Sequence, residues 1–273
     1  MMRKPRIVVR GGGDLATGTI HKLRSCGFPV LVLEAAAPSA IRRNVAFSEA
    51  VYEGSATVEG LTCTLTANVE EALALLDRGG LPLLVDPAGD CLDRVKPAVV
   101  VDAILAKRNL GTHRGMAPLT VALGPGFTAP GDVDVVVETR RGHDLGRLIR
   151  SGAAAPNTGV PGLIAGVGAD RVLHAPAAGI FRNEKKITDT VRKGEVIARV
   201  ETPDGDSVPL PATIDGLLRG LLRDGYPVTK GFKVADIDPR LEEYNNCFTI
   251  SDKARCIAGG VLEAVVWGLG REG

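Results

Sequence analysis

The sequence is poor in the features that mark several functional classes. Aromatic residues make up only 4% of it, too few for the stacking platforms that hold single-stranded nucleic acid. Neither sign of charge dominates: 33 Lys and Arg stand against 32 Asp and Glu, a formal charge of +1. Nucleic acid and anionic membrane surfaces are therefore not expected partners, because both are bound through a basic excess. No apolar run approaches the roughly 18 residues that span a bilayer. The apolar stretch after the basic Met1–Arg6 ends at Val9, shorter than a secretory signal needs, so a cytoplasmic location is expected. The five cysteines (Cys26, Cys63, Cys91, Cys247 and Cys256) contain no Cys-x-x-Cys pair. Neither a disulfide framework nor a metal site is expected from such spacing.

What the chain does have is glycine, 34 of 273 residues, with 45% apolar and 24% charged residues. That is a globular balance, with length for one large domain or two ordinary ones. Residues 5–34 read as strand, glycine loop, helix and strand. Ile7-Val8-Val9 runs into Gly11-Gly12-Gly13; Leu15, Ile20 and Leu23 form a helical stripe; Val30 to Leu33 is a second strand ending in Glu34. The loop fits G-x-G-x-x-A, with an acidic residue about 20 positions on, as a dinucleotide fingerprint requires. Gly11, Gly12, Gly13, Asp14, Ala16 and Glu34 are accordingly candidate cofactor-binding residues. Bare main chain admits a pyrophosphate, and a helix N-terminus favours it; Asp14 fits instead a helix cap if no nucleotide binds.

Further short apolar runs end in glycine or a polar residue, at Asp86, Asp102, Gly124 and Glu138. Ligands of open parallel sheets sit at such strand ends. Two donor-rich clusters follow, 107–114 and 138–143. Lys107, Asn109, Thr112, Arg114, Arg140 and Arg141 are candidates for recognising an anionic ligand. No nucleophile–base pair stands out, so no catalytic residue is assigned and enzymatic activity stays open.

The second half carries an internal repeat. Residues 191–201 and 228–238 match at an offset of 37 in Val, Lys, Gly and Ala, and both end in an aliphatic residue followed by a carboxylate. Gly179 and Gly216 stand twelve residues before each copy. Duplication of a β-rich unit of this size predicts two interlocked halves around one core. The pattern looks like the barrel-sandwich hybrid of biotinyl and lipoyl domains, but the turn at 201–206 has no carrier lysine. A helix is predicted from Ser251 to Leu269, weakened by Gly259-Gly260. Cys256 reads as a core residue on it, and Cys247 as the more reactive thiol. The expected fold is α/β: a Rossmann-like domain over 1–165, a barrel-sandwich hybrid over 170–240, and a C-terminal helix over 245–273 packing on the first domain.

Several stretches resemble a known family. Residues 10–18 (RGGGDLATG), 101–109 (VDAILAKRN), 124–127 (GPGF), 138–143 (ETRRGH), 236–240 (DIDPR) and 250–255 (ISDKAR) are similar to the YqeB family, accessory proteins of the selenium-dependent molybdenum hydroxylase system. A weaker likeness in the glycine loop links the chain to XdhC-type proteins that handle molybdenum cofactor, although those commonly have histidine where this chain has Asp14. The resemblance implies a maturation factor. It would bind an anionic cofactor, either the pterin dinucleotide of molybdenum enzymes or NAD(P), and meet a client molybdenum hydroxylase, with self-association left open. An NAD(P)-dependent oxidoreductase and a non-catalytic structural adaptor are the alternatives.

Overall fold

A computed structural model describes residues 5–160 and 162–270. Met1–Lys4 of the basic N-terminus, Pro161 in the 157–162 connection and the last three residues lie outside the described residues. The chain divides into two compact units. One comprises residues up to 38, 45–158 and from 250 onward; the other comprises 39–44 and 159–249.

Short runs of Val, Leu and Ile set the strands of the first unit. They are β1 (Ile7–Arg10), β2 (Val30–Glu34), β3 (Ser55–Val58), β4 (Leu61–Thr66), β5 (Leu81–Val85), β6 (Val99–Asp102), β7 (Leu119–Leu123), β8 (Thr128–Ala129), β9 (Val135–Val137), β10 (Leu148–Ile149) and β11 (Gly152–Ala153). Nine of them form one sheet in the order β10-β9-β7-β6-β1-β2-β5-β4-β3. The seven inner strands run parallel, while β3 and β10 close the two edges antiparallel. The helices of this unit are α1 (Asp14–Ser25), α2 (Ala50–Glu53), α3 (Val69–Asp77), α4 (Leu92–Val95) and α5 (Asp252–Leu269). Asn68 caps α3 by accepting the Glu71 N–H at 2.9 Å, and Ser251 caps α5 by accepting the Ala254 N–H at 3.2 Å, each satisfying an orphan donor.

The inner strands are apolar on both faces because both are covered. Ile7, Val9, Val30 and Val32 join the core that holds Ile20 and Leu23 of α1 and Ile257, Val261 and Val265 of α5. Val8, Leu31, Leu33 and Val100 face the other way, toward Ala72 of α3 and Leu92 and Val95 of α4.

The second unit contains β12 (Val172–His174), β13 (Gly179–Asn183), β14 (Thr190–Val191), β15 (Val196–Glu201), β16 (Ser207–Pro211), β17 (Gly216–Leu221), β18 (Pro227–Val228) and β19 (Lys233–Asp238). These make two four-stranded antiparallel sheets, β12-β19-β17-β14 and β16-β15-β13-β18. The duplication is visible strand by strand, since β13–β14–β15 and β17–β18–β19 repeat at the offset of 37. The copies exchange their short strands: β14 of the first pairs with β17 of the second, and β18 of the second with β13 of the first. Phe181, Ile197, Val200, Leu218, Val234 and Ile237 fill the shared core.

This architecture corrects the expected fold class. The first unit is a large mixed sheet with few helices rather than a Rossmann domain. After β5 the connections shrink to the four residues of α4, a 3-10 turn at Arg114–Met116, and β8 between β7 and β9, so repeated crossover helices are missing. The second unit is likewise no self-contained barrel-sandwich module cut from 170–240. It recruits residues 39–44, the Leu221 N–H donating to the Ile41 carbonyl at 2.8 Å, and β12 extends one of its sheets. Local apolar runs specify strands, but they do not specify which distant segments complete a sheet.

Candidate functional site

The inner strands end at one edge of the nine-stranded sheet, where the glycine loop also lies. Gly11 has φ +99°, a conformation that favours glycine. A Cβ there would stand 2.9 Å from the Ala103 carbonyl oxygen, and a Cβ on Gly12 would stand 2.9 Å from the Ser48 nitrogen. The Ser48 N–H donates to the Gly12 carbonyl at 2.8 Å. Thr17 Oγ1 donates to the same carbonyl at 3.2 Å and accepts the Phe47 N–H at 2.9 Å. The main chain that was to be bared for a pyrophosphate is thus occupied by residues 47–48 and 103–104 of the same chain.

Glu34 does not wait for a ribose. Its carboxylate accepts the Gly12 and Ala35 N–H groups, both at 2.7 Å, and burial pushes its pKa above the ordinary range against those two bonds. Gly13 is the N-cap of α1 without a side-chain cap bond, and Asp14 lies in the first turn rather than at the cap. Ala16 is buried in the core. Gly13 alone of the three glycines would meet nothing within 4 Å if it carried a Cβ. The dinucleotide reading of Gly11, Gly12, Ala16 and Glu34 is accordingly replaced by one in which they hold the sheet edge together.

The other strand-end acids behave in the same way. Asp86 accepts N–H groups from Gly89, Asp90 and Cys91 at 2.9 to 3.0 Å. Burial works against its ionisation, but those donors overcome it and lower its pKa. The Cys91 thiol beside it is pushed up to about 12 by burial and by the Asp86 carboxylate. Glu138 accepts the Thr139, Arg140 and Ala155 N–H groups at 2.7 to 2.8 Å. Asp102 accepts the Ile104 N–H at 3.1 Å and the Thr112 hydroxyl at 2.5 Å; burial raises its pKa despite these bonds and Arg10.

Arg10, 2% exposed at the end of β1, was not singled out in the sequence. Its guanidinium donates to Thr112 Oγ1 and, at 2.7 Å, to the Pro87 carbonyl. It stands 3.8 Å from Asp102. Arg10, Asp102 and Thr112 therefore clamp the loops that follow β5 and β6. The available signal was a charged residue directly after each of two apolar strands.

The donor clusters divide. Asn109 shapes its own loop, accepting the Gly111 and Thr112 N–H groups at 2.8 Å and donating to the Thr112 carbonyl at 2.8 Å. Arg114 pairs with Asp134 at 2.7 Å, and Arg141 makes a two-pronged pair with Asp252 at 3.0 and 3.2 Å. Lys107, Arg108 and Arg140 are exposed. None of the three has a carboxylate partner among the described residues. Their loops adjoin through the 124–126 segment. A Cβ on Gly126 would lie 2.7 Å from the Arg108 backbone, and one on Gly124 would lie 2.4 Å from Thr139 Oγ1.

A hollow of about 440 Å³ lies elsewhere on this edge, past β4 and β5, lined by Leu65, Thr66, Ala67, Glu71, Leu84 and Val85. Its polar groups are engaged: Thr66 Oγ1 donates to the Leu83 carbonyl, and Glu71 accepts the Ala67 N–H. Arg42 and Arg43 donate to the Asn246 and Leu221 carbonyls within the second unit. The two thiols exchange places between core and surface. Cys247 is 1% exposed and burial raises its pKa, whereas Cys256 is exposed. No group of three metal-ligating side chains occurs among the described residues, nor a helix long and apolar enough to cross a membrane.

No family model matches the chain. Among solved structures it aligns with the ectoine utilization protein EutE (DoeB) of Ruegeria pomeroyi, at 12% identity and TM-score 0.28 over 86% of both chains. It also aligns with a succinylglutamate desuccinylase/aspartoacylase of Rhodobacter sphaeroides, at 16% identity and TM-score 0.29 over 87% of this chain and 86% of that one. The expected maturation role is withdrawn, and at such TM-scores the matches lend no activity to this chain in its place. In sequence the chain is 52% identical over 261 residues to "Uncharacterized protein YqeB" of Escherichia coli (strain K12), covering 95% of this chain and 47% of that protein. It thus spans about half the length of that relative. The similarity to YqeB runs over nearly the whole of this chain.

Proposed function

We propose that the first unit is an anion-binding module, working by retention of a small polyanion rather than by turnover. The observation that carries this reading is the division of charge at the carboxyl edge. Glu34, Asp86, Asp102 and Glu138 all accept backbone N–H groups, from their own or neighbouring loops, while Lys107, Arg108 and Arg140 are exposed on adjoining loops. Fixed acids shielded by N–H donors repel an anion little, and three cations without carboxylate partners attract one. Arg114 and Arg141, already paired, stand outside the site.

Calorimetric titration of the purified chain with pyrophosphate and with citrate tests this. Saturable binding is expected, at least tenfold weaker in a Lys107→Ala/Arg140→Ala double variant, because two charge-assisted contacts are lost. The affinity should also fall as salt rises. Absence of saturable binding, or equal affinity in the double variant, overturns the proposal and leaves a scaffold without a ligand at this edge.

A further inference from the structure

A second polar recess lies away from the carboxyl edge, on the face of α1 turned toward α5. Gly18, His21, Lys22 and Ser25 line it from α1, and Ile250 and Arg255 from the start of α5; its volume is about 200 Å³. The four α1 positions are spaced i, i+3, i+4 and i+7, so helical geometry alone stacks them in one stripe. Gly18 lets the two helices approach, since a Cβ there would sit 2.8 Å from the Ala254 Cβ. The floor of the recess is therefore set by a helix crossing.

Its chemistry is that of a small oxyanion site. Ser25 Oγ and His21 Nδ1 lie 3.4 Å apart one helical turn from each other. Arg255 is oriented by Glu59, whose Oε1 lies 2.6 Å from Nη2 and also accepts the Ile250 N–H at 2.8 Å. Burial works against the ionisation of Glu59, but Ile250 and Arg255 outweigh it and hold its pKa below the ordinary range. Glu59 sits at the β3–β4 hairpin with φ +46°, so the hairpin tip presents this carboxylate to α5. Lys22 has no carboxylate partner among the described residues. With Glu59 committed to Arg255, the lining keeps a net positive charge even when His21 is neutral. One ammonium, one hydroxyl and one imidazole, beside a guanidinium held in place by Glu59, surround a volume that fits the oxygens of a phosphate group.

We propose that this α1–α5 recess binds a phosphate group, independently of the carboxyl edge. The test is NMR titration of the full chain, labelled at histidine, with inorganic phosphate and separately with glycerol 3-phosphate. The His21 ring resonances should move saturably with at least one of the two, and the tighter probe distinguishes a free phosphate site from one for a phosphomonoester. Lys22→Gln should bind about tenfold more weakly and Ser25→Ala a few-fold more weakly. Lys107→Ala/Arg140→Ala should bind as the parent does, which separates this site from the edge site. His21 resonances unmoved by tens of millimolar of both probes, or moved equally in the Lys22→Gln and Ser25→Ala chains, would overturn the assignment.

Discussion

Three adjacent glycines at residues 11–13 do different work. Gly11 and Gly12 let two other segments of the same chain close onto the loop, whereas Gly13 opens a helix into free space. Gly12→Ala is expected to cost about 1–3 kcal/mol, the usual penalty of forcing atoms into a filled site, because the Ser48 backbone cannot swing aside as a flexible side chain would. Gly13→Ala, at φ −64° and ψ −179°, should change stability by less than about 1 kcal/mol. Urea unfolding of the two variants measures the contrast. Equal effects would mean that the loop is not held by the 47–48 segment. This pair also marks what was legible in the sequence. A strand, a glycine turn, a helix and a second strand were readable from Ile7 to Glu34, because apolar periodicity and glycine act locally. That the bared backbone is filled by Ser48 and Ala103, and that Glu34 turns back onto Gly12, depends on contacts across 22 to 92 residues of separation, which no local pattern encodes. Arg10 was missed for the same reason: its partners lie at Pro87, Asp102 and Thr112.

At the scale of elements, α5 returns from the far end of the chain to pack on α1 and on the sheet. Its apolar face was legible: of Ala254, Ile257, Ala258, Val261, Leu262 and Val265, all are buried except Leu262, which is half-buried. The Gly259-Gly260 pair read only as a weakness. The structure separates the two. A Cβ on Gly260 would stand 2.2 Å from the Gly146 carbonyl oxygen, while one on Gly259 would meet nothing within 4 Å. Gly259→Ala should therefore stabilise the chain by about 0.5–1 kcal/mol, the helix-interior difference between the two residues. Gly260→Ala should destabilise it, because the backbone of residue 146 must shift. Thermal and urea denaturation of both variants check the opposite signs. If both stabilise, the close approach of α5 to the 146 turn is not a constraint on the fold.

At the scale of the whole molecule, sequence order and spatial order diverge. The 37-residue repeat was readable because both copies keep the same glycine and aliphatic positions; the exchange of β14 and β18 between copies was not, since pairing partners leave no trace in a strand of two residues. A cut in the exposed turn at 203–206, which lies between the two copies, separates covalently what the fold joins again at several places. β14 of the N-terminal fragment pairs with β17, β18 of the C-terminal fragment pairs with β13, and α5 of the C-terminal fragment buries Ile257 and Val261 in the core that contains Ile20 of α1. A protease site inserted into this turn should be cleaved without loss of the native assembly. Both fragments should elute together on size exclusion in buffer and part only in denaturant, because burial of apolar surface across the cut outweighs the entropy of holding two chains rather than one. Fragments that separate in buffer would show that neither the strand exchange nor the helix packing binds across the cut strongly enough to replace the covalent link.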